Sequence, residues 1–256
     1  MKLQIKKEVI INDISMWFKY AEPEGGESQW KEGRSAMEFA RYMTASKGKM
    51  PVEIQNYLKR IGFSEDDDFT CYPEEVTKYD CNTLGTGSGR HHDGLLVSKN
   101  YLIGIEAKVS EPFDEAIQNK IEKSKSNKDK GENMKKRIVN SLKMFKPEFE
   151  EQSLDSVGHL MYQLVSGTVG TIIEARNRKI NNAAFLVMEF ESEHEEKDYK
   201  DDIMRNQEAY NAFLTFIGLL NKEDKERYIQ LEEMRIWFKK IKIKISKETY
   251  KYTEIK

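Results

Sequence analysis

Apolar positions along this chain switch between two spacings, and the switches mark its elements. Residues 34–45 place Ala36, Phe39, Ala40 and Met43 on one face at helical spacing, with Glu38 beside that stripe. Pro51 can open a second helix at its first turn, carried on by Ile54, Tyr57, Leu58 and Ile61. Residues 69–80 set Phe69, Cys71, Tyr72, Val76 and Tyr79 among polar neighbours, which predicts a strand. Two apolar runs follow, 94–97 and 101–109. The polar break Ser98-Lys99-Asn100 between them predicts an antiparallel hairpin. Beyond it the spacing predicts a long apolar helix from about Ser156 to Arg176 and a turn at Asn181-Asn182. A buried strand over 183–190, a helix from about Asn206 to Leu220 and a half-exposed strand from Met234 to Ile245 complete the pattern. No internal repeat is present.

The remaining segments read differently. Ile10 to Phe18 is apolar enough to dock on a core, and Glu22-Pro23-Glu24-Gly25-Gly26 then breaks the chain. Gly85-Thr86-Gly87-Ser88-Gly89 lacks the terminal Gly-Lys-Ser/Thr of a phosphate loop and any helix after it, so a surface loop is expected. Trp17, Trp30 and Trp237 are expected in the core. An acidic stretch, Glu191 to Asp202, is expected on the surface.

Composition narrows the class. The chain has 256 residues, 38% of them apolar and 34% charged, enough apolar material for one α/β domain spanning 1–256. A net charge of −2 leaves no global basic field, so a nucleic-acid partner would have to be held by a local patch. Residues 120–147 carry ten basic residues against three acidic ones. Its first part, Lys123 to Glu132, reads as a loop or frayed helix, and Ile138, Leu142, Met144 and Phe145 as a helix regaining the core. Lys135, Lys136 and Arg137 are candidates for tracking a phosphate backbone, the alternative being a solvated face. Arg176 and Arg178 close the long helix, where cations suit the dipole. Cys71 and Cys81 lack any disulfide or zinc spacing and read as reduced thiols. There is no apolar run of roughly 18 residues and no signal-like start, so a cytoplasmic protein without a membrane partner is expected.

The hairpin carries the chemistry. Side chains two apart on a strand share a face, so Glu106 and Lys108 point one way while Ile105, Ala107 and Val109 point the other. Asp93, at the start of the preceding strand, is brought beside positions 105–107 when the chain folds back at Lys99. Two carboxylates that close repel each other, and a divalent cation resolves the conflict; oxygen-only donors favour Mg²⁺ or Mn²⁺. The residues alone also allow a structural cluster, with Glu106 neutralised by Lys108 and Asp93 capping a turn. His91 and His92 flank the aspartate and could contact a phosphate. Glu111 is expected to cap the segment near Asp114.

Asp93 followed by Glu106-Ala107-Lys108 on an apolar hairpin resembles the PD-(D/E)xK nuclease superfamily. Its restriction-endonuclease-like core is a three-layer α/β arrangement, a central mixed sheet flanked by helices in the order α-β-β-β-α-β. The resemblance covers about 34–190, with 119–147 as a lysine-rich insertion and the two flanks as elaborations. His92 stands where the family often has proline. The resemblance implies a metal held by Asp93, Glu106 and the carbonyl of Ala107, with Lys108 as the catalytic lysine. It also implies an additional glutamate at Glu38, near a second metal, and a site-adjacent glutamine at Gln163. The implied activity is Mg²⁺- or Mn²⁺-dependent nuclease hydrolysis of nucleic acid, as an endonuclease or an exonuclease, DNA ahead of RNA by family association, in restriction or phage defence. Double-strand cleavage would call for a homodimer or a partner subunit. A non-catalytic nucleic-acid-binding or structural relative and a metal-dependent nucleotide phosphohydrolase remain the alternatives.

Overall fold

A computed structural model describes residues 1–64, 66–79, 84, 89–109, 111–125, 128–192 and 197–245, without the side chains of 128–130, 192 and 197–199. Cys81, the glycine-rich loop up to Ser88 and part of the acidic stretch after Glu191 lie outside the described residues.

Seven strands form one mixed sheet. They are β1 (Leu3–Ile5), β2 (Phe69–Thr77), β3 (Arg90–Val97), β4 (Tyr101–Lys108), β5 (Asn182–Ser192), β6 (Tyr228–Leu231) and β7 (Met234–Ile245). Their spatial order is β1-β2-β3-β4-β5-β7-β6. β2, β3 and β4 form an antiparallel meander, and β5 lies parallel to β4. The two flanks of the chain join the same sheet: β1 pairs with β2 on one side, β7 with β5 on the other.

Helices cover both faces. On one lie α1 (Ile14–Tyr20), α2 (Ser35–Ala45) and α3 (Val52–Arg60). Their apolar stripes, with Trp17, Phe39, Met43, Ile54 and Leu58, meet Leu96, Ile105, Ala107, Leu186 and Met188. On the other lie α4 (Ile117–Ser124), α5 (Lys128–Phe145), α6 (Tyr162–Asn177) and α7 (Lys197–Phe216). They pack around Leu95, Leu102, Phe185, Val187 and Phe238. The helix α6 approaches the sheet closely because it presents small residues. A Cβ at Gly167 would stand 2.6 Å from the Phe185 ring, and one at Gly170 2.6 Å from His92. None of the described helices is long and apolar enough to cross a membrane.

Several expectations need correction. Helix α6 begins at Tyr162, because Glu151–Val157 forms a 3-10 segment that Gly158 ends. Of the stretch Lys123 to Glu132, Lys123, Ser124 and residues 128–132 are helical: they belong to α4 and α5, whose apolar sides, Ile121 and Ile138 among them, reach the core. Pro51 stands at the N-cap of α3, with extended ψ, one position before the first turn. Strand β7 has neighbours on both sides, and Ile236, Trp237 and Phe238 are all buried, so half of it does not alternate. Trp17 and Trp237 are core residues, whereas Trp30 is half-buried against Phe18.

Candidate active site

β2 and β3 start out as regular alternating strands. Cys71 and Leu96 face the α2 side, and Leu95 faces the α6 side. The alternation then breaks at one level on both strands. Glu74 adopts φ +50°, a left-handed conformation that costs a non-glycine residue energy and is held only where the surroundings impose it. It lies between the paired positions Pro73↔Gly94 and Glu75↔His92, opposite Asp93. Past this level Thr77 and His92 turn to the α6 side, where they meet each other at 3.1 Å. The β3–β4 ladder also stops there, its last pair being Gly94↔Ile105. Asp93 takes over, its carboxylate accepting from the Ala107 N–H at 2.6 Å.

Asp93 is therefore inside a strand, not at the start of one, because β3 begins at Arg90. Glu106 and Lys108 do share a face and form an ion pair at 3.0 Å. The other Glu106 oxygen is held by the Arg90 guanidinium. Glu74, Arg90, His91, Asp93, Glu106, Lys108, Glu111 and Gln163 line one cavity of about 570 Å³. The segment before α2 lines it too, through Pro23, Glu24, Ser28, Gln29, Lys31 and Arg34.

Three acids thus share one end of the meander with two cations. Burial, then the charges of Asp93 and Glu106, push the Glu74 carboxyl up; burial, then the Glu106 charge, push Asp93 up. Among the described residues no three histidine, cysteine or acidic side chains converge closely enough to form a metal cage. Arg90 and Lys108 each take one oxygen of Glu106.

Other expected residues are placed elsewhere. Glu38 is buried, but its carboxylate accepts from the Gly33 N–H at 2.8 Å and pairs with Arg41 at 3.5 Å, and it does not line the cavity. His92 is fully buried between the sheet and α6, and burial, then the Arg90 charge, hold its pKa well below the ordinary value. It cannot meet a substrate there, whereas His91 lines the cavity. Lys135 and Lys136 are exposed on α5, and Lys135 borders a different cavity with Ile117, Ile121 and Leu154. Arg137 lies over the Tyr79 ring. None of the three reaches the acids. Gln163 lines the cavity and accepts from the Asp114 N–H at 3.0 Å, the cap expected of Glu111. Glu111 instead bridges the Val109 and Ser35 N–H groups.

Glu74, Arg90, Lys31 and Arg34 escape a motif reading. A signal for Glu74 does exist: Pro73 and Gly94 each disfavour a regular central strand, and the structure sets them opposite one another beside the kink. For Arg90, Lys31 and Arg34 there is none, because each sits in polar sequence with no fixed spacing to the triad.

No curated protein and no solved structure matches the chain. One family model does, over residues 11–245, which takes in every strand but β1 and the whole cavity. The chain belongs to the family described as Domain of unknown function (DUF6946).

Proposed function

We propose that this chain is a divalent-metal-dependent nuclease with a restriction-endonuclease-like core. The observation that carries the reading is that Asp93, Glu106, Lys108 and Glu74 line one cavity at the end of the meander, together with Gln163. The order α2-β2-β3-β4-α6-β5, three antiparallel strands and then a parallel one, supports it.

The residues fit a hard cation by donor chemistry. Glu74, Asp93 and Glu106 offer carboxylate oxygens, and these three acids outnumber Arg90 and Lys108 beside them. Asp93, Glu106 and the Ala107 carbonyl would hold the ion, with Glu74, in place of Glu38, as the further acid. When bound, the ion supplies Lewis acidity toward water and a phosphate oxygen. Lys108 offsets the charge that grows on the phosphate, in a partly water-excluded site where one such charge is worth more than in bulk water. Arg90 holds the Glu106 oxygen that the ion would take and is a competitor for it.

A second reading, hydrolysis of a nucleotide phosphate, gains from one observation: the lysine-rich helix α5 does not reach the cavity. One assay separates the two. Plasmid, linear duplex, single-stranded DNA, RNA and nucleoside triphosphates are incubated with Mg²⁺, Mn²⁺ or EDTA, with Lys108→Ala as the matched control. Polymer cleavage that needs metal and Lys108 is the expected result. Phosphate release from triphosphates alone selects the second reading. No metal-dependent reaction with any of them removes both.

A further inference from the structure

The segment before α2 that lines the cavity is held in place by its own hydrogen bonds, and nothing in the triad accounts for it. Lys31 and Arg34 are exposed side chains lining the cavity. They stand at the two ends of one tight turn, closed by the Arg34 N–H donating to the Lys31 carbonyl at 3.0 Å. Gly33 makes the turn with φ +77°, a conformation open to glycine and strained for other residues. Two carboxylates brace it. The Gly33 N–H donates to buried Glu38, and the Ser35 N–H to Glu111. The second Glu111 oxygen accepts from the Val109 N–H, immediately after Lys108. Arg34 therefore sits between two anchored amides, one tied to helix α2 and one to the end of the catalytic strand. Among the described residues, neither Lys31 nor Arg34 forms an ion pair.

From this arrangement we infer that Lys31 and Arg34 are the substrate-phosphate clamp of the site, that the ligand is a nucleic-acid strand, and that Glu38 and Glu111 are its positioning residues. The inference rests on the phosphodiester reading above. The physical reason is direct. Arg90 and Lys108 both pair with Glu106, and Lys108 serves the reacting phosphate, so a strand bringing further phosphates into the cavity needs other cations to offset the repulsion of Glu74, Asp93 and Glu24. A cation on an anchored turn loses less freedom on binding than one on a loose loop. The clamp and the acids line the same cavity, so a backbone phosphate held by the clamp belongs to the stretch of strand that carries the reacting one. Glu38 then acts on substrate through the Gly33 turn, not as a ligand of a second metal.

The test reads binding apart from cleavage. Fluorescein-labelled single-stranded and duplex oligonucleotides are titrated by anisotropy in Ca²⁺ across a salt series. Wild-type, Lys31→Ala/Arg34→Ala, Glu111→Gln and Lys108→Ala chains are compared, with unlabelled nucleoside triphosphate as competitor and thermal melts as the folding control. The double variant is expected to bind about tenfold more weakly and to lose roughly one to two from the salt slope, because each cation offsets one phosphate. Glu111→Gln leaves the Ser35 or Val109 N–H without its acceptor; it is expected to weaken strand binding less than the double variant does, in a chain that still melts cooperatively. Lys108→Ala retains binding. A folded double variant with parental affinity and salt slope overturns the clamp, even if the wild type cleaves. A wild-type chain that shows the clamp behaviour but cleaves nothing with any metal removes the nuclease reading and leaves the clamp. Displacement by triphosphate without strand binding overturns the assignment to a nucleic-acid strand, and no binding of either ligand overturns the clamp altogether.

Discussion

Two lysine–glutamate clusters lie at the same level of the sheet, one strand apart. Lys108 of β4 is in register with Glu189 of β5, and Glu189 in turn with Lys242 of β7. Glu106 and Lys108 open on the cavity with Asp93, Glu74 and Arg90. Glu189 is 0% exposed and Lys240 5% exposed; the two pair at 2.7 Å, away from the cavity. Burial pushes Glu189 up and Lys240 down, more strongly than their mutual attraction opposes it. The sealed cluster is balanced: Lys242 lies 3.8 Å from the same carboxylate and pairs with Glu191 at 2.7 Å. The open cluster has acids to spare. A strand bearing Glu and Lys is thus no site by itself; surplus acid next to a cavity makes one.

The largest expected effect separates the two clusters by activity. Lys108→Ala should lower metal-dependent cleavage by about 10²–10⁴-fold with little change in melting temperature. Lys240→Met should keep kcat but lose about 3–5 kcal/mol of stability, since it leaves a carboxylate buried without its partner. Plasmid cleavage and urea unfolding of both variants check this. Loss of cleavage in a stable Lys240→Met chain would erase the distinction.

A smaller effect tests the floor of the open cluster. Gly170 of α6 lies where a Cβ would stand 2.6 Å from His92 and 2.9 Å from Arg90. Gly170→Ala should cost about 1–3 kcal/mol by overpacking, measured as the urea midpoint shift. An unchanged midpoint would show that α6 can retreat without consequence.

The smallest effect sharpens the comparison through pH. Glu74 has its folded pKa raised above the ordinary 4.5. Its stabilising contribution is therefore complete below about pH 4.5 and is lost as pH rises through the folded value. In EDTA, Glu74→Gln should melt higher than the parent, by a margin that widens from about pH 5 to about pH 8. Added Mg²⁺ should narrow the margin by offsetting the acid charge of the parent. A margin that shrinks with rising pH in EDTA would contradict the assignment of burial and like charge as its cause.

Much of this architecture is legible in the chain. Helix α2, the strand from Phe69 and the hairpin at Lys99 all follow from apolar spacing, because a core face must repeat at the period of its element. The meeting of Asp93 with Glu106 and Lys108 follows too, since a short hairpin fixes which residues oppose each other. The start of α6 is less legible: Leu154, Val157 and Leu160 are buried by a 3-10 turn as well as they would be by a helix.

By itself, then, the sequence determined the meander, the two-sided burial of its sheet and the pairing of an acid–lysine strand with Asp93. These depend on local periodicity and short connections. Only the tertiary structure decided that Glu74 joins the acids, that His92 is buried under α6 and that Glu38 braces a turn. It also decided that Lys31 and Arg34, not the lysines of α5, line the cavity with the acids. These depend on one left-handed residue and on contacts between segments far apart in the chain, and no spacing of residue types encodes either.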